Sequence, residues 1–180
     1  MPSAIVRDSR KADLPAVLDI YAREVCGGLA TFEQVPPSLD DMEARRRQIL
    51  DRGLPYLVAE RDGAVVGYAH AGPHRPRPAY RYAVEDSVYV ARDMHGRGIG
   101  GALLRALIGR CESGPWRQMV AVIGDSGNAA SIGLHERLGF RHVGILEAVG
   151  FKLGRWVDTV VMQRPLGEGR ETVPVEGRNR

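Results

Sequence analysis

VYVARDMHGRGIGGALLRALI, residues 88–108, reads as a strand, a glycine-rich turn and a helix in direct succession. Gly96, Gly98, Gly100 and Gly101 lie within six positions, and apolar residues at helical spacing begin immediately behind them. Glycine lets the backbone approach a ligand closely and adopt conformations that other residues resist. The first turn of a helix leaves N–H groups without intrahelical partners, and the helix dipole makes that end partly positive. A phosphate or pyrophosphate is the expected occupant.

Three classes of phosphate ligand use this physics. A nucleoside-triphosphate loop needs Lys-Ser or Lys-Thr behind its last glycine, whereas Gly101 is followed by Ala102 and Leu103. Gly96-x-Gly98-x-x-Gly101 also satisfies the dinucleotide pattern, but there the first glycine follows an opening strand almost directly. Here Ala91 to His95 separate Val90 from Gly96, and most of a hundred residues come earlier. The third class is an acyl-CoA.

The string HGRGIG resembles the pyrophosphate loop of the GNAT N-acetyltransferases, Gln/Arg-x-x-Gly-x-Gly/Ala, with His95 in place of the usual Gln or Arg. YLVAERDGAVVGYAHAGP, VEDSVYV, GNAASIGLHERLGF and GFKLGRWVDTVVMQ are similar, in order, to segments of the phosphinothricin and methionine sulfoximine N-acetyltransferases. The resemblance spans residues 3–166. It implies a GNAT-like fold, acetyl-CoA as co-substrate, a small amino acid or analogue as acceptor, and a homodimer.

With 180 residues, 44% hydrophobic and 26% charged, the chain has the composition of a globular protein. One domain over 1–166 is expected, followed by a polar tail, 167–180, expected to be disordered. No apolar run is long enough to span a bilayer, and MPSAIVRDSRKADL lacks the apolar centre of a secretory signal. Cys26 and Cys111 have neither metal-ligand spacing nor a disulfide framework. A cytoplasmic protein without a metal is therefore expected, and no membrane partner. The net charge of +3 is spread along the chain without an aromatic-interleaved basic stripe, so no nucleic-acid partner is expected either.

Patterning predicts a first strand at Ala4–Arg7 and a helix capped by Asp13 running to Val25. Ser38 and Asp41 form a capping box for a second helix through Arg52. Tyr56–Glu60 and Ala64–Ala71 alternate around Asp62-Gly63 as a hairpin. A proline-broken loop, GPHRPRPAYRY, leads to a fourth strand at Val84–Val90, and the glycine turn to a helix over Ile99–Cys111. A strand at Gln118–Ile123, a helix at Asn128–Leu138, and strands at His142–Glu147 and Trp156–Gln163 complete the order. Strands and helices mixed in this way give an α/β class, a three-layer domain around a mixed, largely antiparallel sheet.

Acetyl transfer to an amine requires a base for the ammonium, stabilisation of the oxyanion and a proton for the departing thiolate. Glu85 is the candidate base, a role the resemblance implies for the Glu of VEDSVYV, while an exposed carboxylate at a strand start is its other reading; Asp86, the fallback, falls on the opposite strand face. The resemblance implies that the backbone of Val88, Tyr89 and Val90 holds the pantetheine, with the Val90 N–H polarising the thioester carbonyl. It implies likewise that Gly96, Arg97, Gly98, Ile99, Gly100 and Gly101 hold the pyrophosphate, although Arg97 equally fits a solvated loop. Asn128, Ser131 or Ile132, and His135 share one helix face. Asn128 reads as an N-cap, to which the resemblance adds a bond to the pantetheine arm. His135 stands where many relatives carry a thiolate-protonating Tyr, and a packed structural histidine is its other reading.

For the acceptor, Arg75, Arg77 and Arg81 form guanidinium forks suited to carboxylates and phosphinates, or else a basic surface loop. Thr31 and Phe32 match the substrate-facing segment of the resembled family, and Ser87 joins Glu85 in the substrate-binding set. The function expected is acetyl-CoA-dependent N-acetylation of a small anionic amino acid by direct transfer. A peptide N-acetyltransferase and a non-catalytic acyl-CoA-binding regulator are the alternatives.

Overall fold

In the computed structural model, which describes residues 4–174, local sequence chemistry sets most element boundaries. The order is β1 (Ile5–Asp8), α1 (Leu14–Gly27), α2 (Leu39–Leu50), β2 (Tyr56–Arg61), β3 (Ala64–Pro73), β4 (Ala83–Val90), α3 (Ile99–Glu112), β5 (Gln118–Gly124), α4 (Ala129–Arg137), β6 (Arg141–Lys152) and β7 (Arg155–Pro165). The strands form one sheet in the order β1-β2-β3-β4-β5-β7-β6. Every neighbouring pair is antiparallel except β4 and β5, so the sheet is mixed and largely antiparallel, as the sequence predicts.

Strand alternation sorts side chains to two cores. Leu57, Ala59, Ala69, Ala71 and Val84 meet Ile99, Leu103, Leu104, Leu107 and Cys111 of α3 on one face. Tyr56, Val58 and Tyr68 meet Val17, Ile20, Tyr21 and Val25 of α1 and Met42 of α2 on the other. Gly67 permits the close approach of α3, because a Cβ there would stand 3.0 Å from the Tyr89 carbonyl and 3.1 Å from Leu103. The hairpin turns through Asp62 (φ 51°) and Gly63 (φ 79°), the left-handed pair that a two-residue turn between twisted strands requires.

The Ser38–Asp41 capping box is present in both directions. Asp13, expected to cap α1, does not. Its carboxylate accepts from the Arg10 N–H at 2.6 Å and from the Arg7 guanidinium at 2.7 and 2.8 Å, closing an extra 3-10 turn ahead of the helix. β6 runs well past the predicted end at Glu147. Register shifts at His142/Gly144 and Leu146/Gly150, together with the Ala148 N–H donating to Asp158 at 2.9 Å, carry the strand over its glycines. Of the tail expected to be disordered, residues 167–172 form turns in which Glu168 accepts from Arg117 and Thr172. Residues 175–180 lie outside the described residues.

Candidate active site

The site is built on the one parallel junction. Pairing of β4 with β5 stops at Asp86↔Ala121, and beyond it the two strands diverge. On its other edge β4 stays bonded to β3 throughout. The Ala91 N–H donates to Val66 and the His74 N–H to Ala83, so odd-numbered residues of β4 face β3 and even-numbered ones face the gap. The backbone N–H groups of Val88 and Val90 therefore point into an opening between strands. Both residues are half-buried, and a molecule lying in the gap could accept from these N–H groups. A cleft of about 190 Å³ occupies it, lined by Thr31, Glu85 to Tyr89, Ala121 to Gly124, Asn128, Ser131 and His135.

At the end of β4 the chain makes a single 3-10 turn and enters the glycine loop. Gly96 (φ 72°) and Gly98 (φ 78°) both take left-handed conformations, and Gly98 is the residue that starts α3. Open space surrounds the positions where their Cβ atoms would stand, so backbone conformation rather than crowding selects glycine. His95 ties the loop back: its Nε2 donates to the Val90 carbonyl at 2.9 Å. That bond occupies the carbonyl of Val90 and leaves its N–H facing the gap. Arg97 lies exposed on the loop.

Glu85, Ser87 and Tyr89 project to the α1/α2 face. Burial pushes the Glu85 carboxyl above the usual carboxylate range, and the His74 Nδ1, 3.2 Å away, pulls it partly back. A raised carboxyl is suited to taking a proton near neutral pH. On the same face a second cavity of about 360 Å³ is walled by Tyr21, Tyr56, Tyr68, Tyr89 and His70, with Arg45 and Arg52 at its side. It shares Ser87 and Tyr89 with the cleft, so the two spaces meet at β4. Burial drives the pKa of His70 down to about 4, which keeps the imidazole neutral.

Asn128, Ser131 and His135 come together on the opposite side of the gap. Asn128 caps α4, its Oδ1 accepting from the Ser131 N–H at 3.1 Å, while Ile132 packs into the core instead of the cleft. His135 is 4% exposed and meets Asp86 across the sheet at 3.0 Å.

The loop bearing Thr31 and Phe32 closes one end of the cleft. Thr31 Oγ1 bonds the Tyr21 hydroxyl at 2.9 Å, whereas Phe32 lies over Gly150, where a Cβ would meet its ring at 2.5 Å. Lys152 anchors this loop from β6, its buried ammonium donating to the carbonyls of Thr31 at 2.7 Å and Glu24 at 3.2 Å. Replacing Lys152 with Met leaves two carbonyls unpaired at an expected cost of about 1–3 kcal/mol. Thermal unfolding is the check, and a melting temperature equal to wild type refutes the anchor. Arg75 and Arg77 are exposed on the loop before β4 and line neither cavity, although the Arg75 charge acts on Glu85. The guanidiniums lining a cavity are those of Arg45 and Arg52, in and just beyond α2, where no local sequence pattern marks them.

Residues 18–140 match the model of the acetyltransferase (GNAT) family. The chain is 59% identical to a phosphinothricin N-acetyltransferase of Alcaligenes faecalis, the match covering 94% of this chain and 86% of that one. Identity to an L-methionine sulfoximine/L-methionine sulfone acetyltransferase of Pseudomonas aeruginosa is 45%, over 93% and 98% of the two chains. The crystal structure of a phosphinothricin acetyltransferase from Sinorhizobium meliloti in complex with acetyl-CoA superposes with a TM-score of 0.95, at 49% identity and covering 98% of this chain and 95% of that one.

Proposed function

This chain belongs to the GNAT acetyltransferase family, and we propose that it transfers acetyl from acetyl-CoA to the α-amino group of a small anionic amino acid or analogue, of the phosphinothricin or methionine sulfoximine type. The observation that carries the proposal is the gap beside β4. It has a glycine-rich helix mouth at one end and a raised carboxyl, Glu85, on the strand that borders it. The amides of Gly96 to Gly101 suit the pyrophosphate. Val88 and Val90 offer backbone groups to the pantetheine amides, with Asn128 and Ser131 across the cleft. Arg75, whose charge acts on Glu85, and Arg77 on the same exposed loop suit the acid groups of the acceptor.

In this mechanism Glu85, directly or through a water, removes a proton from the acceptor ammonium. The free amine attacks the thioester carbonyl, whose developing oxyanion is met by the Val90 N–H. A fixed donor of this kind is worth about 3 kcal/mol in the transition state. The nitrogen, now bonded to the acetyl carbon, gives up its second proton to solvent; the C–S bond breaks, its electron pair leaves with sulfur, and the thiolate takes up a proton. Cys26 is exposed away from the cleft lining and Cys111 is buried under the sheet, which favours direct transfer over a covalent acetyl-enzyme.

The test is thiol release from acetyl-CoA with a panel of acceptors: ordinary amino acids, phosphinothricin, methionine sulfoximine, lysyl peptides and aminoglycosides. Turnover with the small acids supports the proposal; turnover restricted to cationic acceptors or peptides refutes it.

The same proposal includes a cytoplasmic homodimer. No helix among the described residues is long and apolar enough to cross a membrane. β6 is an edge strand carrying Val143, Ile145, Leu146, Val149 and Phe151 at 51–54% exposure, with Trp156 of β7 beside them. An open apolar edge of that length calls for a cover, and a second copy supplies one of matching character. Sedimentation of wild type is expected to give a dimer and that of Ile145→Lys/Val149→Lys a monomer. A monomeric wild type refutes this part.

A further inference from the structure

The larger cavity lies between α2 and the sheet, and its floor and roof are polar where a seam between helix and sheet is ordinarily apolar. On the floor, Tyr56, His70 and Ser87 stand opposite one another across β2, β3 and β4, and Tyr68 stands opposite Tyr89 in the next row. The rings stack on each other, with centroids 5.1 Å apart for Tyr56 and His70, 6.0 Å for Tyr56 and Tyr68, and 5.2 Å for Tyr68 and Tyr89. Their faces cover one another, so what they offer the cavity is polar tips. On the roof, only Met42 of α2 is buried, and Arg45, Gln48 and Arg52 share the wall with it.

Those tips lack partners. Among the described residues nothing bonds the hydroxyls of Tyr56 and Tyr68 or either ring nitrogen of His70, and of these atoms only His70 Nδ1 is sealed off. Burial, together with the Arg45 charge, keeps the imidazole neutral, so it carries one N–H. A buried N–H without a partner is rarer than a bare acceptor, which puts the hydrogen on Nε2. Burial pushes the Tyr56 and Tyr68 phenols well above their ordinary range, so both keep their protons and can donate. Arg52 makes no ion pair among the described residues. Glu33 is the carboxylate on the wall, and the Arg45 guanidinium holds it at 2.7 and 3.4 Å. The cavity presents surplus donors, with two guanidiniums against one carboxylate.

A short route joins this space to the reacting carboxyl. Glu85 pairs with Gly72 and lies one strand repeat from Ser87 on the same face, so His70 is its diagonal neighbour, at about 7–8 Å for such positions. Gly72 has no Cβ, and nothing stands within 4 Å of where one would be. An amino acid whose ammonium meets Glu85 therefore reaches the His70 row with a side chain of about three to four atoms.

We propose that this cavity seats the far end of the acceptor side chain, and that it selects a group carrying two or more acceptor oxygens: a carboxylate, a phosphinate or a sulfonyl. The proposal rests on the acetyl-transfer reading above and divides the acceptor between two places. The α-carboxylate goes to Arg75 and Arg77, and the side-chain oxygens go to His70, Tyr56, Tyr68 and Arg52. Two oxygens give these donors partners. A methyl or ammonium end leaves them unpaired, the kind of loss by which polar sites discriminate most strongly.

Three acceptors of one side-chain length decide the matter: methionine sulfone, methionine, which lacks only the two oxygens, and ornithine, which ends in an ammonium. Thiol release from acetyl-CoA is expected to favour the sulfone over the other two by about tenfold to a hundredfold in kcat/KM. His70→Phe keeps a ring and removes the donor. It should lower the sulfone-to-methionine ratio about fivefold to tenfold, with the KM for acetyl-CoA within about twofold of wild type. Tyr68→Phe should lower the ratio by a similar factor, and calorimetric titration with CoA shows that each variant is folded. Methionine or ornithine used as well as the sulfone, or a ratio unchanged in both variants, overturns the proposal. Binding is read separately by nitrogen-15 NMR of histidine-labelled protein loaded with free CoA, the His70 signals being those missing from His70→Phe. Methionine sulfone should move the His70 Nε2 resonance and methionine should not; a resonance indifferent to the sulfone overturns the proposal. Should wild type acetylate none of the three while that resonance moves, the acetyl-transfer reading fails and the cavity assignment stands.

Discussion

Glu85→Gln is expected to lower kcat by about 10²–10³-fold while leaving the KM for acetyl-CoA within about twofold, the size of effect general-base catalysis commands. An α-amino group is mostly protonated at neutral pH, and glutamine cannot accept its proton. Burial raises the Glu85 carboxyl and the His74 contact moderates the rise, so the net pKa stays above the ordinary value. The sign follows: the active form is the ionised one, so kcat/KM for wild type climbs with pH through a value above the normal carboxylate range. Glu85→Gln should flatten that climb. Glu85→Asp, with a shorter reach, should retain the limb at a reduced plateau. Steady-state profiles from pH 5 to 9 are the measurement, and a Glu85→Gln enzyme with the wild-type limb would remove Glu85 from the chemistry.

Gly98→Val is expected to weaken acetyl-CoA binding about tenfold to a hundredfold. At φ 78° a β-branched side chain is strained by about 1–3 kcal/mol. The loop relieves that strain only by turning the amides that open α3 away from their common focus. The control is Gly109→Ala on the exposed side of the same helix, where an added Cβ meets nothing within 4 Å. Alanine there should steady the helix and leave the coenzyme affinity unchanged. Calorimetric titration with acetyl-CoA and with free CoA reads both variants. Equal affinities for Gly98→Val and wild type would dissociate the glycine loop from pyrophosphate recognition.

Legibility in the sequence followed the range of the interaction. Strand, loop and helix around Gly96 to Gly101 were readable because turn chemistry and helical spacing are local. The opposite facing of Glu85 and Asp86 follows from the two-residue period of a strand alone. The capping box at Ser38 is equally local. Contacts that join distant segments gave no such signal. His74 reaches Glu85, Lys152 reaches the Thr31 loop and Asp86 reaches His135 only because the fold brings them together, over separations of 11, 121 and 49 residues. The tyrosine-lined cavity was visible only as alternation in β2 and β3, where Tyr56, Tyr68 and His70 look like ordinary strand residues. Asp13 misled because an aspartate ahead of a helix is a good cap, and a nearby arginine competed successfully for it.

β4 and β5 share four residue pairs and then part, so the sheet is two half-sheets basted together along a short hem. A molecule lodged beyond the last of those pairs touches both halves and works as a stitch. Ligation should therefore stiffen the whole body of the protein as well as the loops that grip the ligand. Amide exchange along the inner edges of β4 and β5 should slow together when the coenzyme is added.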